Sequence, residues 1–308
     1  MTQVIFQTRF AFQSRRSKIA LEDAFAPIRM AALFDRFERF TLSSLRAQGD
    51  DDFRWDILAA QAMPDPYKSK LRDLVGDLIG DRAAVHFEPP AMAGRYFRNY
   101  QIRRTHGMAA LPFAAQVALE SGDAVASDFV AALRWACGES YDLLAHHGHA
   151  YLSFPTGYWL FDEAGGAKLV RAREIATRIG LIAFGRADFA RNPYLTVPRA
   201  LRDRHPVRAF YGLLPFYLKR IDGGLAAVPQ AASAAFDLAE IPPTHLLRFP
   251  MLRGYLCAGA GSVGIAQAGD GVNEWARDFA PVARAASDLE AASDWGGTTP
   301  APAVSRAG

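Results

Sequence analysis

Short blocks of β-branched and aromatic residues alternate with longer stretches of helical period through about the first 140 residues. Val4 to Phe10 predicts a first strand. The polar stretch Gln13 to Lys18 reads as a loop. From Ile28 to about Gln48, Met30, Leu33, Phe34, Phe37 and Leu45 form one apolar stripe, with Asp35, Arg36, Glu38 and Arg39 outside it. That spacing predicts an amphipathic helix. Gly49 ends it, and Asp50-Asp51-Asp52 read as a solvated turn. Phe53 to Ala60 predicts a second strand, and Met63-Pro64-Asp65-Pro66-Tyr67 opens a helix through Leu71, Leu74, Val75 and Leu78. Proline in a first turn costs no hydrogen bond. Ala83 to Phe87 predicts a third strand, about Ala93 to His106 a helix, and Phe113 to Leu119 a fourth strand. A further helix runs from Ser127, read as its N-cap, to Ala136.

Strands and helices alternating at this spacing predict an α/β fold, a mostly parallel sheet covered on both faces. Ligands of such sheets bind beyond the carboxyl ends of the strands. Thr8-Arg9-Phe10, Gln61, Pro89 and Glu120 to Asp123 are therefore expected to face one crevice. After Gly138 the pattern weakens. Ala150 to Phe154 and Tyr158 to Phe161 read as strands, Gly165-Gly166 as a hairpin turn with Lys168 to Val170 returning, and Asn192-Pro193 as a turn. An Ala-rich stretch follows about residue 225, then the apolar segment Thr244 to Leu256, interrupted by Pro250. The expected division is a domain over residues 1–224, a helical extension over 225–286 and a disordered tail over 287–308, where Ala, Ser, Gly, Thr and Pro dominate.

Composition changes this picture little. The 308 residues carry a net charge of +3, too small an excess to argue for nucleic acid but suited to an anionic ligand if arginines cluster. The two cysteines, Cys137 and Cys257, have no metal-binding spacing. The first residues read as a strand rather than a signal peptide, and no apolar run is long enough to span a bilayer. The expected location is the cytoplasm. His146-His147-Gly148-His149 reads as a polar loop, with no carboxylates to complete a metal site. Gly259-Ala260-Gly261-Ser262-Val263-Gly264 fits GxGxxG but lacks the preceding strand of a dinucleotide fold.

Thr8-Arg9-Phe10, then Leu33 to Gln48, Asp52-Phe53-Arg54-Trp55 and Ala62 to Leu71, resemble a rhamnosyltransferase family in order and spacing. The resemblance is specific over about the first 130 residues and weaker to about residue 224. It implies a GT-A-like, Rossmann-type sandwich and glycosyl transfer from a nucleotide-sugar donor, dTDP-rhamnose being one candidate, to a polysaccharide or other glycan acceptor. It also implies that the run after the fourth strand holds Mg²⁺ or Mn²⁺ against the donor diphosphate. Where the family carries consecutive aspartates after an arginine, this chain has Ala118 and then Glu120-Ser121-Gly122-Asp123. Glu120 and Asp123 remain as metal-binding candidates, since a hard cation on a diphosphate takes only one or two protein carboxylates. The alternative is a plain turn. The family's later histidines, near Pro198-Arg199 and Ile221-Asp222-Gly223, are replaced as well. Together these departures leave open a cation-independent transferase and a non-catalytic nucleotide- or glycan-binding relative.

On the same resemblance, Thr8, Arg9, Phe10, Arg95, Arg98 and Asn99 are donor-binding candidates, a guanidinium being a bidentate partner for phosphate. An inverting transfer needs a carboxylate to take the acceptor proton, and Asp162, Glu163 and Asp188 are the candidates. A third reading lays Thr244 to Leu256 against a membrane surface. Pro250 and ordinary core packing speak against it.

Overall fold

The computed structural model describes residues 2–253, apart from 15–16, 18, 107, 109–112, 164–165, 176, 189–190, 197–200, 222–234 and 238–239. The Gly259–Gly264 motif, Cys257, the replaced histidine positions 198–199 and 222–223, and the 287–308 tail all lie outside the described residues.

Strand β1 (Thr2–Phe10) pairs in parallel with β2 (Phe53–Ala60) on one side and with β4 (Phe113–Ala118) on the other. Strand β3 (Ala83–Glu88) extends the sheet from β2, again in parallel. Beyond β4 lie β9 (Leu181–Arg186), antiparallel to it, then β6 (His149–Ser153) and β10 (Val207–Ala209). The order of this seven-stranded sheet is β10-β6-β9-β4-β1-β2-β3. The fold is the expected α/β sandwich on a mostly parallel sheet.

Side-chain parity shows helices on both faces. Trp55 stacks on Phe37 at 5.4 Å, and Phe10 meets Phe34 and Phe37 at 4.8 and 4.9 Å. Helix α2 (Pro27–Arg36) and the π-helical turn after it, Phe37–Leu42, therefore cover the Trp55 face. Leu58 has opposite parity on the same strand and packs with Ala93 and Phe97 of helix α5 (Ala93–Thr105). Sequence periodicity gave one helix from Ile28 to Gln48. The structure inserts the π-turn in its middle, which keeps Phe37, Phe40, Thr41 and Leu42 all buried.

A second, five-stranded sheet has the order β12-β8-β7-β11-β5. Its strands are β5 (Ala124–Val125), β7 (Thr156–Glu163), β8 (Gly166–Arg173), β11 (Tyr217–Arg220) and β12 (Ala235–Asp237). Tyr217 fills the space over two glycines. A Cβ on Gly157 would stand 2.3 Å from its ring, and one on Gly180 would stand 2.6 Å from the Phe154 carbonyl and 3.2 Å from the ring. Ile241, Phe249, Met251 and Leu252 pack on this sheet with Phe40, Tyr158, Leu160 and Leu218. Phe249, Met251 and Leu252 of the segment proposed for a membrane surface are thus spent on the core, with Leu246 packed against it. No described helix is long and apolar enough to cross a membrane.

Three local expectations are corrected. Helix α6 is Phe129–Gly138, with Asp128 rather than Ser127 at the cap position. Asp50 and Asp52 are not merely solvated, because both pair with Arg134, at 2.8 and 2.7 Å. His146 and His147 end helix α7 (Tyr141–His147), Gly148 caps it at φ 69°, and His149 starts β6, so the three imidazoles do not share one loop. Cys137 is a free, buried thiol whose burial raises its pKa.

Candidate functional site

After β3 the chain crosses to the other side of β1 to form β4, so the strand order reverses between β1 and β4. Such a switch point opens a crevice at the carboxyl ends of the strands. Gln7 is in register with Ala118 there, which brings Arg9 opposite Glu120 just past the end of β4. Arg9 Nε donates to Glu120 Oε2 at 3.1 Å, and its Nη2 pairs with Glu120 Oε1. Arg178 Nη1 reaches the same Oε1 at 3.5 Å. It can do so because β9 runs antiparallel to β4, so the residues before Leu181 sit at the crevice end.

Both guanidiniums also lie over one aromatic ring, that of Tyr194, at 5.0 Å for Arg9 and 5.5 Å for Arg178. Tyr194 is held from several sides. Its hydroxyl donates to the Gln7 carbonyl at 3.0 Å, its ring stacks on Phe97 at 5.6 Å, and its N–H donates to Asn192 Oδ1 at 3.0 Å. Asn192 is fully buried, and its Nδ2 donates to Gln7 and Gln116 at 2.6 and 2.9 Å. Two glutamines inside apolar strands thus satisfy the turn that carries the aromatic platform, as buried polar groups require. Burial and the neighbouring Glu120 hold the Tyr194 hydroxyl well above its ordinary pKa, so it stays neutral. Burial opposes the Arg9 charge, but Glu120 and Tyr194 more than offset this and raise its pKa.

The acidic run is a built turn joining the two sheets. Gly122 takes φ 98°, which favours glycine, and its N–H donates to Thr41 Oγ1 at 2.9 Å. Thr41 in turn donates to the Asp123 carbonyl at 2.9 Å, with the Glu120 carbonyl at 3.3 Å. Ser121 donates to the Arg9 carbonyl at 2.8 Å. The π-turn is what brings Thr41 here, and such turns recur at functional sites. The two carboxylates end up in different settings. Glu120 faces the arginines, while Asp123 is buried and its Oδ1 accepts the Arg220 N–H at 3.0 Å.

This setting does not fit the Mg²⁺ or Mn²⁺ implied by the resemblance. Asp123 is committed to the Arg220 N–H, and Glu120 to Arg9 and Arg178. An ion on Glu120 would adjoin two guanidiniums. At about 4 Å and an effective dielectric near 20, a divalent ion and one guanidinium repel by about 8 kcal/mol.

The remaining candidates scatter. Thr8 is fully buried and accepts from Trp55 Nε1 at 2.8 Å, and Phe10 is core, so neither side chain reaches a ligand. Arg95 is exposed on the first turn of α5. Arg98 is turned onto its neighbour Asn99, at 2.9 Å. Asp162 and Glu163 end β7 opposite Ala167 and Gly166, two strands across the small sheet from β5. Asp188 is misplaced for a base. It follows the far end of β9, where Arg186 is in register with Phe113 at the start of β4, and it pairs with Arg186 on the surface. The antiparallel course of β9, invisible in its own sequence, puts Asp188 at the opposite edge from Arg9 while it brings Arg178 in. Arg178, Tyr194 and Thr41 were not singled out from the sequence. Gln7 and Gln116, polar residues inside apolar strands, were the available signal that something there needed satisfying.

A family model described as "Putative rhamnosyl transferase" matches residues 5–201, more than half of the chain. No curated protein matches it. Among solved structures, the TarS 1-349 fragment from S. aureus in complex with UDP is 9% identical at a TM-score of 0.38, covering 72% of this chain and 61% of that one. This chain thus spans less than two thirds of that fragment's length. The mannosyltransferase PcManGT from Pyrobaculum calidifontis, in complex with GDP-Man and Mn²⁺, is 12% identical at a TM-score of 0.38, covering 94% of this chain and 80% of that one.

Proposed function

The chain belongs to this rhamnosyl transferase family, and from that premise we propose that it transfers a glycosyl residue, rhamnose among the candidates, from a nucleotide-sugar donor to a glycan acceptor in the cytoplasm. One observation carries the reading. Arg9 and Arg178 converge on a single carboxylate oxygen at the switch-point crevice, where an anionic ligand of this fold binds. Two guanidiniums there would neutralise a donor diphosphate and the charge that grows on it as the glycosidic bond breaks. The acceptor hydroxyl oxygen would attack the anomeric carbon. Its proton would pass to a carboxylate, for which Asp162 and Glu163 are the proposed groups, and the nucleoside diphosphate would leave. Arg95 at the start of α5 is a further proposed donor contact.

The test is release of nucleoside diphosphate from a panel of nucleotide sugars, dTDP-rhamnose included, in the presence of glycan acceptors. Turnover with at least one donor supports the proposal. Donor binding without turnover of any donor favours instead a non-catalytic relative, the reading that the altered acidic run supports. If no nucleotide or nucleotide sugar raises the melting temperature, with or without Mn²⁺, the donor site itself is lost.

A further inference from the structure

We propose that the Arg9–Arg178 pair takes the place of the divalent cation, so that the donor diphosphate binds directly to the two guanidiniums and displaces Glu120 from them. The inference rests on reading the crevice as the donor site, and it concerns how the charge of the donor is met there. Glu120 shows what the pair is shaped to hold. One carboxylate oxygen, Oε1, accepts from both guanidiniums, so the gap between them is already the size of a shared oxyanion. Both guanidiniums lie over the Tyr194 ring, and that ring is held by Asn192, Gln7 and Phe97. Each cation therefore keeps a contact that does not depend on Glu120. The carboxylate is the movable member, on a flexible side chain with 28% of its surface exposed between arginines exposed by 38% and 40%. Ion pairs at that exposure exchange readily. Arginine forks match phosphate oxygens, and two of them supply the charge that one divalent ion supplies elsewhere.

The second carboxylate agrees. Asp123 accepts a backbone N–H from Arg220 and its turn is tied down by Thr41. It acts as part of the junction between the sheets.

The proposal reverses the expected sign of one substitution. If Glu120 is a metal ligand, Glu120→Gln weakens nucleotide binding. If Glu120 is a competing anion, Glu120→Gln leaves binding unchanged or tightens it. The experiment is calorimetry of dTDP and UDP on the full chain, first in EDTA and then with Mn²⁺, using wild type, Glu120→Gln and Arg178→Gln, each checked for an unaltered melting transition. Binding in EDTA should match binding in Mn²⁺. Glu120→Gln should bind at least as tightly as wild type, and Arg178→Gln should lose roughly tenfold or more in affinity, the worth of one charged hydrogen bond. Binding that appears only with Mn²⁺, or that Glu120→Gln weakens, overturns the proposal while leaving the donor site standing. Undiminished binding in Arg178→Gln overturns it too. Absence of binding in every condition removes both the proposal and the donor reading beneath it.

Discussion

Two arginine–carboxylate clusters flank the acidic turn, and they are built for opposite purposes. Upstream, Arg9, Glu120 and Arg178 keep 38%, 28% and 40% of their side chains exposed. Downstream, Arg248 and Asp128 keep only 7% and 18%. Arg248 Nε donates to Asp128 at 2.9 Å, its Nη1 donates to the Pro215 carbonyl at 2.6 Å, and its guanidinium lies 4.5 Å over the Phe216 ring. The second cluster is turned inward, onto Asp128, Pro215 and Phe216. It ties the helix Pro243–Arg248 to the start of α6 and to the loop before β11. The first cluster presents the same chemistry to solvent, where a ligand can compete for it. Exposure, more than residue type, separates the group that fastens the fold from the group available for binding.

The largest effect should come from breaking the buried cluster. Arg248→Met removes the partner of Asp128 and leaves the Pro215 carbonyl unpaired. Breaking one side of a buried, hydrogen-bonded pair costs about 3–5 kcal/mol. Urea melts should show a loss of that size. A loss under about 1 kcal/mol, the range of a surface pair, would erase the distinction.

Thr41→Val should come next. It keeps the shape and removes the hydroxyl that joins Gly122 N–H to the Asp123 carbonyl. Stranding those buried groups costs about 1–3 kcal/mol. Because the turn also carries Glu120, the variant should change nucleoside diphosphate affinity as well as the melt. A variant that destabilises the fold but binds normally would show that the turn is scaffold only.

How far these clusters were legible in the sequence follows from how each is assembled. The β1, β2 and β4 segments and the turn at Glu120–Asp123 are local signals, apolar runs ended by turn residues, so the crevice could be placed from them. Arg9 could be placed with it. Arg178 could not, because its position depends on β9 returning antiparallel beside β4, a pairing across about seventy residues that no local pattern encodes. The same return carries Asp188 away. Thr41 was hidden for a different reason: a π-turn keeps helical spacing on either side while turning extra residues inward. Arg248 sits in a segment whose apolar residues could equally face a membrane surface, and only its packing against the second sheet shows Phe249, Met251 and Leu252 to be core.

The exposed cluster predicts a smaller effect on stability. Glu120→Gln breaks two half-exposed ion pairs, and such pairs are worth about 1 kcal/mol or less. The melt should barely move, in contrast to Arg248→Met, while nucleotide binding responds. A loss of stability as large as that of Arg248→Met would mean that Glu120 fastens the fold and is not free to give way to a ligand.

The smallest effect concerns strain beside the exposed cluster. Among the described residues, Ala11 alone of the non-glycines has positive φ, at 47°, and it directly follows Phe10 at the end of β1. A side chain there costs about 1–2 kcal/mol relative to glycine in the same conformation. Glycine returns about 0.4–1 kcal/mol of that through the greater freedom of its unfolded chain. Ala11→Gly should therefore stabilise the protein by about 0.5 kcal/mol, which is roughly 1–2 °C in melting temperature for a domain of this size. The strain lies one residue past the strand that carries Arg9, and no such residue adjoins Arg248. If the turn at Ala11 helps aim Arg9, relieving it should also lower nucleoside diphosphate affinity by a few-fold, about 0.5–1 kcal/mol. Paired melts and calorimetry separate the two contributions. A variant less stable than wild type would show that the Ala11 methyl packs more favourably than its backbone is strained, and unchanged affinity would free the aim of Arg9 from this turn and leave it to Glu120 and Tyr194.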